Sequence, residues 1–503
     1  MRRCLPVLLS LLSAPARAEG ELEKAEQLTI QQLFEVAVRS APALENAAYS
    51  RTQANAQYEA AKGPHDFTVS GLFDFQKTSG APTLPGLGGN EFTTMQGSVS
   101  FKKLLPTNGT IELIGQNTNS TNDILGNVSE TITSSLKLRL TQPLLRGIGQ
   151  ASAYKTIDIA RYRRNAALVK HSADARVFAV EMIQTYWKLS LAWRKLDIRR
   201  ASVELGKRQV AFVEAGIRTG KYANAELLPV QQAIVSRQQE ILTAELEVVE
   251  TSIELRRLAG LEVTPDNYPL RTSVLPAPQP LPLDAKTYVA KALAESDDLK
   301  VAIAEVASTA AAERGSRRDL GPRVDLRVDG GTIGTDITQR DPTMNPAPII
   351  GNPSFGGSLR ALNAGGYSVS GNLTVEYQIG NHNARGVHRA DRSNAYHSRV
   401  LAATKRADVA SEVVRIVYAT QVHLKSSELG TLAVSLAEQN VEAETKKFEA
   451  GKSSSAEIIR RQDDLEAARL RQAIEQASFQ IVLSQLEAAA GIILTKYNVK
   501  MLK

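Results

Sequence analysis

A chain of 503 residues with a formal charge of +7 has room for two or three ordinary domains. Its cations are interspersed with Asp and Glu, which reads as a solvated surface and argues against a nucleic-acid partner. Beyond the N-terminus no run approaches the ~18 consecutive apolar residues of a membrane-spanning helix, so a membrane crossing would require a closed β-barrel.

Residues 1–18 have the pattern of a secretory signal. Arg2 and Arg3 open it, Leu5 to Leu12 form a short apolar run, and Ala16-Arg17-Ala18 is an A-x-A cleavage site. Cleavage there removes three arginines and takes the charge from +7 to +4. Cys4 precedes the apolar run, so it is not placed for lipidation, and the mature chain has no cysteine for disulfide or thiol chemistry.

From residue 19 onward the chain states one pattern twice. The first copy covers residues 19–275 and the second 284–503, joined by a proline-rich linker at 276–283. Residues 220–260 and 451–491 align without a gap. Gly220-Lys221 matches Gly451-Lys452, Ala225-Glu226 matches Ala456-Glu457, Gln231 matches Gln462, and Ala259-Gly260 matches Ala490-Gly491. A second alignment sets Val38 to Leu44 against Leu293 to Leu299. A period of roughly 230 residues is too long for a solenoid repeat and points to duplication of a half-domain.

Alternating segments come next in each copy, at about 66–142 and 322–378. Phe67, Val69, Gly71, Phe73 and Phe75 alternate with polar neighbours, as do Met95 to Phe101 and Leu136 to Leu140. The second copy offers Val324, Leu326 and Val328, then Val369 to Tyr377. Period-two alternation gives one apolar and one polar face, suited to a half-buried sheet or to a barrel with lipid outside and water inside. The segments 77–92 and 329–366 read as long polar linkers, including Gly86-Leu87-Gly88-Gly89 and Asn345-Pro346-Ala347-Pro348. Such loops are uncommon in compact domains and usual outside outer-membrane barrels. Asn108-Gly109 marks a possible extra hairpin between 93–104 and 109–115, inside or outside a barrel.

Helix hairpins follow at about 150–261 and 384–492. Ala151 to about Val213 contains no proline and only Gly206, and Ala384 to Phe448 only Gly386 and Gly430. A helix of about 65 residues extends roughly 100 Å and must pack beside equally long neighbours. The periodicity suggests a seam at Val400, Ala403, Ala407, Ala410, Val414 and Val417, and in the first copy at Ala173, Val177, Val180, Gln184, Trp187 and Leu191.

Helix, strand, long loop, strand, long helix, sharp turn, long helix: this order resembles the TolC family of outer-membrane channel-tunnels. The specific signatures are Thr141-Gln142-Pro143-Leu144-Leu145 at the strand-to-helix junction and the turn motif Gly220…Glu226-Leu227-Leu228, repeated as Gly451…Glu457-Ile458-Ile459. The second junction, Tyr377-Gln378-Ile379-Gly380, lacks the proline. The resemblance implies an α+β fold with an internal two-fold repeat: a long α-helical barrel of coiled-coil helices plus a transmembrane antiparallel β-barrel, each completed by trimerisation. It further implies a homotrimer in outer-membrane lipid that extends into the periplasm and works with a periplasmic adaptor and an inner-membrane pump. Small-molecule efflux and type I protein secretion both fit.

The turns are then the candidate gate and adaptor-docking site: Gly216, Gly220, Lys221, Glu226, Gly451, Lys452, Glu457 and Arg460. The glycines are expected at positive φ, and Glu226 and Glu457 in the first turn of the following helix, where the dipole favours a carboxylate. Two accounts stand for Glu457, helix punctuation or a threefold acidic ring that raises its own pKa values. Arg460 replaces the family's usual second acid. Lys221 and Lys452 are adaptor contacts or solvated cations.

Two other classes compete. An enzyme is disfavoured, since His65, His171, His382, His388, His397 and His423 form no tight ligand pair and no P-loop is present, so no cofactor or metal is expected. A periplasmic coiled-coil scaffold or adaptor protein explains signal and heptads but not two copies of strand, loop and strand.

Overall fold

A computed structural model describes residues 22, 25–80, 91–124, 127–265, 267–340, 349–364, 366–497 and 499. The signal segment 1–18, Gly86-Leu87-Gly88-Gly89 and Asn345-Pro346-Ala347-Pro348 lie outside the described residues. Two compact units emerge, each drawn from both halves of the sequence: Met1–Thr52, Ala167–Val301 and Ala402–Lys503 form one, Gln53–Ala166 and Ala302–Leu401 the other.

The repeat is legible in helix lengths. Helices α1 (Ile30–Ser40) and α2 (Pro42–Lys62) have 11 and 21 residues. Their counterparts α5 (Ala285–Glu295) and α6 (Asp297–Arg318) have 11 and 22. The long pair α3 (Lys155–Arg218) and α4 (Leu227–Ala259) has 64 and 33, against 68 and 35 for α8 (His382–Glu449) and α9 (Ser455–Ala489). Four helix ends share one stop signal. Gly220, Gly260, Gly451 and Gly491 all sit at φ of 71–75°, and each closes a Schellman pair of backbone bonds. The identities kept between the copies are largely these stops.

In the second unit the strands are β1 (Thr68–Ser79), β2 (Glu91–Leu104), β3 (Thr110–Ile124), β4 (Asn127–Pro143), β5 (Arg323–Ile337) and β6 (Gly366–Glu376). They make one antiparallel sheet in the order β6-β5-β4-β3-β2-β1. The turn at Asn108-Gly109 therefore joins two members of the same sheet, with Asn108 at φ 65°. Register puts Val69 beside Phe101, Leu113 beside Leu138, and Leu326 beside Leu373, all on one face. Lys102, Glu112, Arg139 and Asp329 line up as a row on the other. Period-two alternation thus yields an apolar and a charged face.

The segment 329–366 is not a polar linker. β5 continues to Ile337, Gln339–Arg340 pairs with Ile349–Gly351, and α7 (Phe355–Ala364) follows. Its glycines mislead because they serve close packing rather than loop freedom. A Cβ on Gly334 would collide with the Ser358 carbonyl of α7, and one on Gly331 with the Leu136 carbonyl. At the proline-free junction before α8, Gly380 at φ 88° and Asn381 at φ 40° turn the chain.

In the first unit the core gathers Leu33 and Phe34 of α1, Phe178, Met182, Ile183, Tyr186 and Leu196 of α3, and Val248 and Leu255 of α4. Trp193 donates to the Leu270 carbonyl at 2.8 Å, and the Tyr186 hydroxyl accepts from Ser273 N at 2.8 Å, so both large side chains are buried with their polar atoms paired. The buried stripe of α8 runs through Val413, Ile416, Val417 and Thr420. Val177, Val400, Ala403, Ala407 and Val414 are exposed, and of the sites proposed on α8 only Val417 is buried. Bulky residues next to the alanine-rich register take the core-facing side.

Gly260 and Gly451 share their φ but not their surroundings. A Cβ on Gly260 would strike the Ser40 carbonyl, whereas Gly451 has nothing within 4 Å. Gly451→Ala is therefore expected to cost about 1 kcal/mol from its backbone alone. Gly260→Ala adds a steric collision and is expected to cost about 2–4 kcal/mol in all. Thermal unfolding followed by circular dichroism ranks the two, and equal shifts would remove the collision from the account.

Candidate functional site at the helix turns

The turn after α3 and the turn after α8 close in the same way. Gly220 N bonds Ile217 O at 3.0 Å and Lys221 N bonds Gly216 O at 2.8 Å. Gly451 N bonds Phe448 O at 2.9 Å and Lys452 N bonds Lys447 O at 2.9 Å. Gly216 departs from expectation, since it lies inside α3 and is buried rather than at positive φ. It is small for a different reason: a Cβ there would enter the Tyr222 ring.

That ring holds the two turns together. Tyr222 stacks on Phe448 with centroids 4.7 Å apart, and Phe212 lies 6.1 Å from Phe448. Val213, Val230 and Ile458 complete a small core under them. Polar bonds cross the same join. The Lys221 ammonium donates to the Glu449 carbonyl at 2.8 Å, at the end of α8, where the helix dipole favours a cation. Lys221 is thus engaged within the chain, while Lys452 is exposed with no ion pair among the described residues. Glu226 ends a short 3-10 turn just before α4, and its carboxylate accepts from Ser455 N at 2.9 Å. It caps the other hairpin's helix instead of its own.

Glu457 sits in the first turn of α9, behind the N-cap Ser454. Its carboxylate pairs with Arg461 at 2.6 Å and with Arg460 at 3.7 Å. Arg461 also reaches Asp464 at 3.5 Å, so within the chain this group sets two acids against two cations. An acidic ring built on Glu457 alone is opposed by its own neighbours.

Further along the hairpins lies a layer that composition did not reveal. Arg237 of α4 is buried and donates to Gln462 Oε1 at 3.1 Å, Asp463 Oδ1 at 2.7 Å and the Ser202 carbonyl at 3.3 Å. Arg199 of α3 binds both Glu240 and Glu466. Gly206, the lone glycine of its stretch, leaves room for Ile234 and Arg237. A cavity of about 550 Å³ opens beside this layer, lined in part by Arg199, Glu240, Asp463 and Glu466. The retained pair Gln231 and Gln462 was the available signal for this layer, and Tyr222 had none because Ser453 replaces it in the second copy. Among the described residues no three His, Cys, Asp or Glu side chains cluster as metal ligands.

Residues 288–492 match the family model described as Outer membrane efflux protein. A comparison with curated protein sequences gives no match. Solved structures do match. The outer membrane channel CmeC of Campylobacter jejuni is 12% identical with a TM-score of 0.67, over 94% of this chain and 90% of that one. The chain has the TolC-family fold. VceC of Vibrio cholerae is 13% identical at a TM-score of 0.64, covering 92% of this chain and 96% of that one. The open state of MtrE from Neisseria gonorrhoeae is 12% identical at 0.62, covering 94% and 91%. In this TolC-like chain the turn motifs of both copies are thus tied to each other by one aromatic stack and several hydrogen bonds.

One of the ties around the second turn titrates. The Ser453 hydroxyl donates to Glu444, and Lys447 pairs with the same carboxylate at 2.9 Å, which together hold its pKa below the usual range. A carboxyl lowered on folding stabilises the fold above its unfolded pKa, and that contribution is lost as pH falls through the folded value. Hydrogen-exchange protection at Lys452 to Ser455 is accordingly expected to drop on acidification. Glu444→Gln should flatten that dependence, and an unchanged acid response in the variant would assign it to another group.

Proposed function

We propose that the chain is the outer-membrane channel of a tripartite export system, a homotrimeric conduit across the periplasm and outer membrane for efflux of small molecules or type I protein secretion. The observation that carries this reading is the six-stranded sheet with two free edges. β1 and β6 are 12 and 11 residues long and exposed almost throughout, with Val69, Phe73, Val369 and Leu373 bare on one face. In water such edges invite aggregation, and in lipid an unpaired backbone is not tolerated. The edge strands run antiparallel, so β6 of one copy can pair with β1 of the next. Three sheets of six strands would make a barrel of eighteen, and barrels of about 16–18 strands leave an aqueous lumen. The row Lys102, Glu112, Arg139 and Asp329 would then face water, with Arg139 bound to Asp329 at 2.7 Å and Glu112 at 3.4 Å.

The helices support the same assembly. On α4, Leu228, Val235, Leu242, Leu246 and Ile253 are exposed at heptad spacing, and on α8 so are Val414, Tyr418, Val422, Leu429, Leu432 and Leu436. Two apolar stripes on one surface mark seams for neighbouring helices. Ala403 and Ala407 would let backbones approach closely in the continuing register. The helix turns, with Gly216, Gly220, Lys221, Glu226, Gly451, Lys452, Glu457 and Arg460, would form the periplasmic tip where an adaptor and its inner-membrane pump dock. Of these residues Lys452, with no ion pair among the described residues, and the exposed Arg460, paired only with Glu457 of its own helix, are the cations best placed to meet acidic adaptor groups.

The mass of the detergent-purified protein, measured by light scattering with the detergent subtracted, should equal three chains. A monomer without a detergent belt would end the channel reading. Selectivity follows from the tip charges. Glu457→Gln leaves Arg460 without its carboxylate and Arg461 with Asp464 alone, so planar-bilayer recordings should show a shift toward anions with trimer assembly intact. A shift toward cations, or none, would take Glu457 out of the conduction path.

A further inference from the structure

Helix α7 lies on the apolar face of the sheet, at the end away from the strand ends that lead into α3 and α8. Its placement is fixed by several contacts. The missing side chain of Gly334 lets the helix backbone touch β5. Ser134 and Ser358 share a hydrogen bond of 2.8 Å, buried between helix and sheet. Asp336 accepts from Ser354 N at 2.9 Å, and Ser354 Oγ in turn accepts from Gly357 N at 2.9 Å, which starts the helix. A helix held in this way is part of the fold and preforms whatever lies beside it.

Beside it lies a groove of about 790 Å³. Phe355, Leu359 and Leu362 form one wall, and Phe73, Val99 and Leu136 of the sheet's apolar face form the other. Gly97 contributes depth, because the space where its side chain would stand is empty for 4 Å. Phe355 and Leu359 are exposed, as are Phe73, Val99 and Leu136. Next to Leu359, Arg360 is exposed and has no ion pair or hydrogen bond among the described residues.

We propose that this groove holds an acyl chain of a membrane lipid whose anionic, phosphate-bearing headgroup meets Arg360. The inference rests on the outer-membrane reading above, since it is there that the apolar face meets hydrocarbon. Two observations favour this occupant over a protein segment. The groove is continuous with the apolar band of β1 to β4, so a chain can enter from the bilayer without crossing water. Arg360, next in sequence to the groove-lining Leu359, puts an exposed charge on the same helix, as in amphipathic helices that lie at a membrane interface with apolar side chains below and a basic residue at headgroup level. A guanidinium also matches phosphate oxygens with paired donors.

Native mass spectrometry of the detergent-purified protein tests the proposal, with phosphatidylglycerol and phosphatidylcholine added in equal amounts as probes. The wild type should retain phosphatidylglycerol over phosphatidylcholine by roughly fivefold, the effect of one arginine at a lipid surface. Arg360→Gln, a change at an exposed position, should abolish that preference while lipid is still retained. Gly97→Phe puts a ring into the groove from a position whose Cβ meets nothing within 4 Å, and should lower retention of both lipids. Retention by Gly97→Phe equal to that of the wild type, or no preference in the wild type, would overturn the lipid site. Those outcomes differ from failure of the channel reading, in which the wild type would need no detergent to remain dispersed.

Discussion

Backbone pairing is the constraint from which the rest of this architecture follows. A sheet with one largely apolar face cannot lie in water without hiding that face, and it cannot lie in lipid with unpaired N–H and C=O groups at its edges. One chain supplies six strands and leaves both edges open. Copies of the same chain are the simplest cover, because the two edges are antiparallel and of nearly equal length. The exposed heptad stripes on α4 and α8 call for cover on the same ground, since apolar surface is unfavourable in water.

Duplication explains why the helices match so well and the sheet so poorly. Paired helices differ by at most four residues in length, while the first copy gives four strands to the large sheet where the second gives two, together with the short pair Gln339–Arg340 and Ile349–Gly351 and α7. A helix hairpin has to reach the same level in both copies and stop there. The Schellman glycines are kept because positive φ admits few other residues. Between the stops, many sequences satisfy a 3.6-residue periodicity, so identities drift. Strands have looser demands, since an added hairpin lengthens the sheet without disturbing its neighbours.

The sequence disclosed what local chemistry imposes. Alternation located the strands, the lack of proline located the long helices, and the Gly-Lys turns located the hairpin ends, where Gly220 and Gly451 take the expected φ. What it did not disclose depends on partners far along the chain. Gly334 read as part of a loop because the helix it accommodates lies further along the chain, and Gly331 because the strand it abuts, at Leu136 and Lys137, lies in the other copy. Gly216 read as a turn glycine because nothing local announces Tyr222's ring. Which side of α8 meets the core of one chain was not legible, because periodicity fixes a spacing and not which face is buried. Glu226 read as a cap of α4, yet its acceptor role is spent on Ser455 of the other hairpin.

The tip joins these threads. Tyr222 on Phe448, Lys221 on the end of α8, and Glu226 on the start of α9 make the two hairpins of one chain a single body at their ends. Deeper in, Arg237 and Arg199 repeat the join with charge. These two layers differ in what separation would require. Parting the aromatic stack exposes apolar surface and has no ready substitute in water, whereas Asp463 is already largely solvated and accepts water in place of Arg237. Relative motion of the hairpins is nonetheless opposed at both layers, because Gln462 and Glu466 are buried and parting them from Arg237 and Arg199 would strand polar groups. A partner that opens such a tip would have to replace the contacts around Tyr222 with its own, and the exposed Lys452 and Arg460 beside them are where it would first take hold.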